Sequence, residues 1–102
     1  MPTLHTINKS PFERSTFASA LKHLRPGDGL LMIEDGVVGA RRGSVFAAVL
    51  EDATRGCSVY VLSPDLAARG MNESDLIQNA KPVDYGGFVD LVTNHDRTQA
   101  WL

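Results

Sequence analysis

Short apolar runs separated by helical stripes form the main pattern of this chain. Continuous apolar runs are typical of parallel strands that are covered on both faces. The runs that predict strands are residues 4–7, 29–35 and 57–62, with a weaker run at 81–85 and an extended edge segment within 98–102.

Three segments between or after these runs repeat apolar residues at helical spacing. Ser15 can cap the first segment and Asp84 the third, while Gly56 follows the second as a stop signal. A further short helix is predicted over residues 63–70, with a proline in its first turn and a glycine at its exit. The repeating residues are Phe17, Ala20, Leu21 and Leu24; Phe46, Val49, Leu50 and Ala53; and Tyr85, Phe88, Val89 and Val92. Alternating strands and helices predict an α/β fold, with a mostly parallel sheet between helices on both sides.

Length and composition predict one globular domain over residues 1–102, because 43% of the residues are apolar and 22% are charged. The formal net charge of -2 gives no overall basic field that would attract nucleic acid or a membrane surface. No apolar run is long enough to span a bilayer, and the first residues do not resemble a secretory signal. A single cysteine permits no internal disulfide. We therefore expect a cytoplasmic protein.

Polar residues follow each predicted strand, where ligands bind in open parallel sheets. Four of them are carboxylates that could act as acid and base: Glu34, Asp35, Asp65 and Asp84. The structural alternative, that they cap helices and accept exposed backbone N–H groups, is the one that we favour.

Cys57 is the only cysteine and is placed at the opposite, amino edge of the sheet. It follows a predicted helix end, whose partial negative charge disfavours a thiolate. We therefore interpret Cys57 as a small apolar residue. The alternative is a sulfur nucleophile assisted by Arg55.

Other residues that could take part in catalysis or binding lack the spacing of a known site. The histidines form no metal-binding motif, so no metal is predicted, and His5 is expected to be a hydrogen-bonded structural residue. The glycines of residues 36–43 match neither a dinucleotide motif nor a P-loop, so no nucleotide cofactor is predicted. Arg41 and Arg42 are expected in a solvated turn. Ser10 has no recognisable triad partners.

Trp101 and Leu102 give the last residues an unusual apolar character. Such residues are expected to dock, either on the core of the same chain or on another subunit.

Several strings, taken together, resemble the DsrH/TusB family of sulfur-relay subunits. They are "LHTINKSPFER", "LLMIEDGV", "VYVLSPDLAARG", "VDYGGFVDLV" and "QAWL", which span nearly the whole chain in the family's order. The resemblance implies a small three-layer α/β/α domain of the DsrE/DsrF/DsrH type. It also implies two homologous partners, TusC/DsrF-like and TusD/DsrE-like, in a heterohexamer with two copies of each subunit.

The resemblance implies a complex that passes persulfide sulfur, with the main acceptor cysteine on the TusD/DsrE-like partner. Some DsrH-type members carry a cysteine in the first helix, where this chain has Ala20. No catalytic residue is therefore transferred to this chain. The expected function is a non-catalytic subunit of a TusBCD-like relay that forms 2-thiouridine at the tRNA wobble position, without direct contact to nucleic acid.

Three alternatives remain open. The subunit can belong to a DsrEFH-like complex in sulfur oxidation, as "NKSPFER" favours. Cys57 can itself accept sulfur. The chain can also self-associate when it is alone and have a separate binding role.

Overall fold

The computed structural model describes residues 2–102, and within them five strands form one parallel sheet of order β4-β3-β2-β1-β5. The strands are β1 (Thr3–Ile7), β2 (Gly29–Met32), β3 (Ser58–Leu62), β4 (Ala80–Val83) and β5 (Arg97–Trp101). The α-helices are α1 (Thr16–Lys22), α2 (Ala47–Ala53), α3 (Ser63–Ala68) and α4 (Tyr85–Asn94), with 3₁₀ helices at Glu34–Ala40 and Glu73–Asp75. The predicted α/β/α fold is confirmed.

One face of the sheet carries the main hydrophobic core. The register aligns Ile7, Met32 and Val61, so that these three side chains share a face. Helices α1, α2 and α3 pack on this face and contribute buried residues to the same cluster, among them Phe17, Leu50 and Leu66. The regular repeat of apolar residues in α1 therefore predicted its buried side correctly.

The opposite face is covered by α4. Leu4, Leu31 and Leu62 are buried there and lie outside the main core cluster. Helix α4 packs against β4, yet none of its residues is buried, and Phe88 is only partly covered. This layer is therefore thinner than the one formed by α1, α2 and α3.

The boundaries of β2 and β4 differ from the predicted ones. Strand β2 ends at Met32 rather than at residue 35, because Glu34 adopts a left-handed φ of 49° and begins a 3₁₀ helix. Strand β4 ends at Val83, and Asp84 caps α4 by accepting the Gly87 N–H at 2.8 Å. Both changes shorten a strand where a polar side chain or a turn ends the ladder.

The structure confirms the predicted glycine stops after α2 and α3, but it does not show the predicted serine capping bond of α1. Gly56 and Gly70 have φ of 80° and 66° and follow α2 and α3, in agreement with their predicted role as stops. Ser15 occupies the N-cap position of α1, but its side chain makes no capping hydrogen bond. No helix within residues 2–102 combines the length and apolar character that crossing a membrane requires.

Candidate functional site

The carboxylates at the carboxyl edge of the sheet are used mainly in structural contacts. Asp65 Oδ2 accepts the backbone N–H of Glu34 at 2.6 Å. Asp35 forms an ion pair with Arg69 at 2.7 Å, and Asp84 caps α4. Since these contacts hold three of the four carboxylates to nearby groups, the geometry supports the structural alternative over acid–base chemistry.

The strand order reverses between β1 and β5, and ligands of open α/β sheets bind at such a point. Here Trp101 lies opposite Ile7 at the carboxyl ends of both strands and packs against the core. The Thr16 hydroxyl donates to the Leu102 carbonyl at 3.1 Å, which joins α1 to the end of β5. Trp101 therefore docks on its own chain, whereas the side chain of Leu102 stays exposed.

Cys57 lies immediately before β3 and is half-buried. Its thiol donates to the Arg25 carbonyl with an Sγ–O distance of 3.3 Å. Burial, followed by the charge of Asp28, raises the pKa of the Cys57 thiol, although a backbone hydrogen bond from Asp28 acts in the opposite sense. The thiol is therefore protonated at neutral pH, and its surroundings do not favour a nucleophile.

His5 belongs to a hydrogen-bonded chain of three side chains. The Trp101 Nε1–H donates to His5 Nδ1 at 3.0 Å, and His5 Nε2 lies 2.9 Å from Asp28 Oδ2. His5 and Asp28 are each only 5% exposed. The expectation of a hydrogen-bonded structural histidine agrees with this geometry.

The sequence pattern does not indicate a role for Asp28. It stands between two glycines, in a segment that has the character of a turn, and nothing nearby in sequence signals its partners. Burial alone would raise the pKa of Asp28, but N–H groups from Thr3, His5 and Arg25 together lower it below its usual value. Asp28 is therefore a buried, ionised carboxylate.

The remaining histidines do not form a metal site. His23 donates from Nδ1 to the Ser19 carbonyl at 2.7 Å, and His95 donates from Nδ1 to the Leu91 carbonyl at 2.6 Å. Within residues 2–102 no three His, Cys, Asp or Glu side chains are placed to hold a metal ion. His23 nevertheless lies close to the chain described above, with its ring centroid 5.0 Å from that of Trp101.

Structural contacts also account for Arg41, Arg42 and Ser10, and the Arg41 N–H donates to the Val38 carbonyl at 3.2 Å. Arg41 and Arg42 are exposed, as expected of a solvated segment, and the Arg42 N–H donates to the Asp75 carbonyl at 2.6 Å. Ser10 is buried, and its hydroxyl accepts the Phe12 N–H at 3.1 Å. None of these residues adjoins Cys57 in the hydrogen-bonding network, so the structure does not assemble a catalytic cluster from them.

Ala20 is fully buried in α1 and belongs to the main core cluster. An alanine side chain has no atom that can carry sulfur. The first helix of this chain therefore contributes packing at that position.

Helix α4 exposes an apolar stripe composed of Tyr85, Val89 and Val92, which are 61%, 63% and 42% exposed. These residues are spaced four and three apart, so they lie on one side of the helix. The repeat that predicted α4 combined this outward stripe with the inward residue Phe88. Since the stripe contacts no other part of the described chain closely enough to be buried, it is a candidate docking surface.

A second apolar feature lies on the other side of the sheet. Phe12 is exposed and packs edge-on against Phe46, with ring centroids 4.8 Å apart. Phe46 in turn packs against Phe17 of the core at 6.0 Å. This aromatic contact extends the main core to the surface near the start of α1.

Comparison with known sequences places these observations in a family. Residues 9–98 match the family model described as "DsrH like protein". A Protein TusB of Shigella flexneri is 38% identical over 98 residues, which cover 96% of this chain and 99% of that protein. A Protein TusB of Escherichia coli is equally identical over the same shares of the two chains.

Solved structures share the fold at much lower identity. The YchN protein of Escherichia coli aligns with a TM-score of 0.79 at 13% identity, covering 98% of this chain and 99% of that one. A protein of unknown function from Methanobacterium thermoautotrophicum aligns with a TM-score of 0.76 at 20% identity, covering 97% of each chain. Fold, family match and nearly full-length identity agree: this chain belongs to the DsrH/TusB family of sulfur-relay subunits.

Proposed function

We propose that this chain is a non-catalytic subunit of a cytoplasmic, TusBCD-like heterohexamer that supports persulfide transfer towards 2-thiouridine at the tRNA wobble position. The observation that carries the proposal is the exposed apolar stripe of α4. A stripe of this kind is stabilised when a partner covers it, because burial removes apolar area from water. The family membership supplies the kind of complex in which that partner is found.

The sulfur-carrying step belongs to a partner in this proposal. Position 20 is a buried alanine, and Cys57 has a raised pKa that keeps its thiol protonated. A sulfur acceptor needs a thiolate to attack the incoming persulfide. The chain thus supports the complex through contacts, while the TusD/DsrE-like subunit carries the acceptor cysteine.

The occupant of the α4 stripe is a TusC/DsrF-like or TusD/DsrE-like subunit rather than a second copy of this chain. Exposed Asp84 and Asp90 flank the stripe, and residues 85–94 contain no lysine or arginine. Two copies that meet through this helix would bring carboxylates of like charge together, which disfavours their association. A partner surface that is apolar at its centre and basic at its rim complements the stripe.

Val89→Asp tests the proposal, because Val89 is at the middle of the stripe and its exposed side chain makes little contribution to folding. A charge at the centre of an apolar interface should weaken assembly with TusC- and TusD-like proteins by at least about tenfold. Native mass spectrometry of the co-expressed proteins measures the fraction in the full complex.

Asn94→Asp is the matched control, since it adds the same charge on the other flank of the same helix, at an exposed residue. We expect this variant to assemble as the unmodified chain does. Full assembly of a folded Val89→Asp variant would exclude the α4 stripe as the interface. An unmodified chain that stays alone among its partners at micromolar concentration would exclude the relay subunit itself.

A further inference from the structure

The hydrogen-bonded chain Trp101–His5–Asp28 takes no part in the proposed docking surface, and it ties β5 to the interior of the sheet. Within residues 2–102, strand β5 lies at the edge of the sheet and pairs only with β1. Its residues 97–100 are exposed, so the side-chain contact of Trp101 is the main tertiary anchor of this strand besides its backbone ladder.

The protonation state of His5 follows from its two partners. The indole N–H of Trp101 can only donate, so Nδ1 of His5 must carry a lone pair. The ring proton is then on Nε2, which donates to the Asp28 carboxylate. Since backbone N–H groups of Thr3 and Arg25 also donate to that carboxylate, Asp28 is held in place from three directions.

Protonation of His5 strengthens its contact with Asp28 and weakens its contact with Trp101. An imidazolium donates from both nitrogens, and its bond to an ionised carboxylate becomes charge-assisted. At Nδ1, however, the new N–H faces the N–H of Trp101, and two donors repel each other. Because His5 is retained by Asp28 and β5 is an edge strand, Trp101 is the group that moves.

We propose that His5 is a proton-operated latch: neutral His5 holds Trp101 and closes β5 against β1, and protonated His5 releases Trp101 and loosens β5. The latch works because the indole N–H of Trp101 needs an unprotonated Nδ1, whereas the carboxylate of Asp28 favours a protonated imidazole. Edge strands open with low free energies, so the loss of one anchoring contact changes their opening measurably.

The other titratable and charged groups around the latch could also cause a pH dependence, so each is considered by its position. His23 of α1 lies against the Trp101 ring, while Lys22 and Arg25 nearby are exposed. On the strands, Leu30 and Gln99 flank His5 in the register and neither titrates.

The remaining groups are exposed, uncharged or on the other face of the sheet. Arg97 of β5 is exposed, Cys57 is protonated beside Asp28, and His95 lies on the opposite face, against Gly29. His23 is therefore the competing histidine that the experiment must control.

Amide hydrogen exchange of the full chain between about pH 8 and about pH 5 tests the latch, because this interval spans the reference pKa of about 6.5 for a histidine side chain in a model peptide. After correction for intrinsic rates, protection of residues 97–101 should fall by about tenfold towards the acidic end, while that of β2 and β3 stays constant. Trp101 is the only tryptophan, so its fluorescence should change over the same range.

His5→Gln and Trp101→Phe should each abolish the pH dependence of β5 exchange, because the first removes the titrating ring and the second removes the facing donor. His23→Gln should leave it intact. If His5→Gln fails to fold, Trp101→Phe still decides the question. The latch is excluded if β5 protection in the unmodified chain is independent of pH, if Trp101→Phe retains the full dependence, or if His23→Gln abolishes it.

Discussion

At the scale of single residues, polar partners that are distant in sequence decide the chemistry of the amino edge. Asp28 meets His5 and Thr3 from β1 and the backbone of Arg25, and its charge acts on Cys57. The sequence predicted the location of Cys57 and a bonded role for His5. It could not predict Asp28 as their common neighbour, because the sheet register brings these residues together.

Cys57→Ser should leave sulfur transfer by the assembled complex unchanged, because the raised pKa keeps little thiolate at neutral pH. The measurement is transfer of labelled persulfide sulfur through the complex with the variant and with the unmodified chain. Alkylation of Cys57 should also stay slow until the pH exceeds the usual thiol pKa of about 8.5. Loss of transfer in Cys57→Ser, together with persulfide label on Cys57, would assign the acceptor role to this chain.

Asp28→Asn should lower the free energy of unfolding by about 1–3 kcal/mol at neutral pH, because an amide accepts the three buried N–H donors less well. The folded pKa of Asp28 is lowered, so its stabilisation is complete above the unfolded pKa of about 3.9 and is lost as the pH falls through the folded pKa. Urea unfolding should therefore show a difference between the two proteins that narrows below about pH 4.

Asp52→Asn is the control for Asp28→Asn. Asp52 is exposed and its ion pair with Arg55 is at the surface, with 3.4 Å between the charged atoms. Its removal should change the free energy of unfolding by no more than about 0.5 kcal/mol. Equal effects of the two substitutions would contradict a special role for the buried carboxylate.

At the scale of elements, apolar patterns predicted which segments are helices and strands better than which sides are buried. Helix α4 has apolar residues on two flanks, Phe88 towards the sheet and the stripe with Val89 towards solvent. Periodicity alone cannot distinguish these flanks, because both follow the same helical repeat. Val49 of α2 likewise belongs to a predicted stripe and is 52% exposed.

The 3₁₀ helix Glu34–Ala40 is fixed by its glycines, which periodicity does not reveal. A Cβ at Gly36 would collide with the carbonyl of Ile7 in β1, and one at Gly39 would lie 2.5 Å from the ring of Phe17. The glycines therefore let this helix lie directly on the end of β1 and on the core. A strand that continued to residue 35 would not place these two glycines against Ile7 and Phe17.

Gly36→Ala should destabilise the fold by about 2 kcal/mol or more, because the clash is with backbone that cannot move aside cheaply. Gly86→Ala in the first turn of α4 meets only the side chain of Asp84, at 3.3 Å, and should change stability by less than about 1 kcal/mol. Thermal unfolding of the two variants measures both effects. Comparable losses of stability in the two variants would show that the contact with Ile7 does not determine the cost of Gly36→Ala.

At the scale of the whole molecule, the two faces of the sheet are covered unequally. Helices α1, α2 and α3 bury one face, while α4 covers the other without burying any of its own residues. The parallel sheet and its layers were predictable from the alternation of strands and helices. The incomplete cover was not, because the apolar residues on both sides of α4 follow the same helical repeat, and our proposal places the relay partners on the exposed side.

The position of β5 also has a consequence for the order of folding. Strands β1 to β4 are neighbours in the order of the chain, so each can add to the last through a short crossover. Strand β5 instead pairs Arg97 with Thr3, nearly the full length of the chain away. Closing so long a loop has the largest entropic cost of any pairing in the sheet. Strand β5 is therefore expected to be the last strand to pair during refolding.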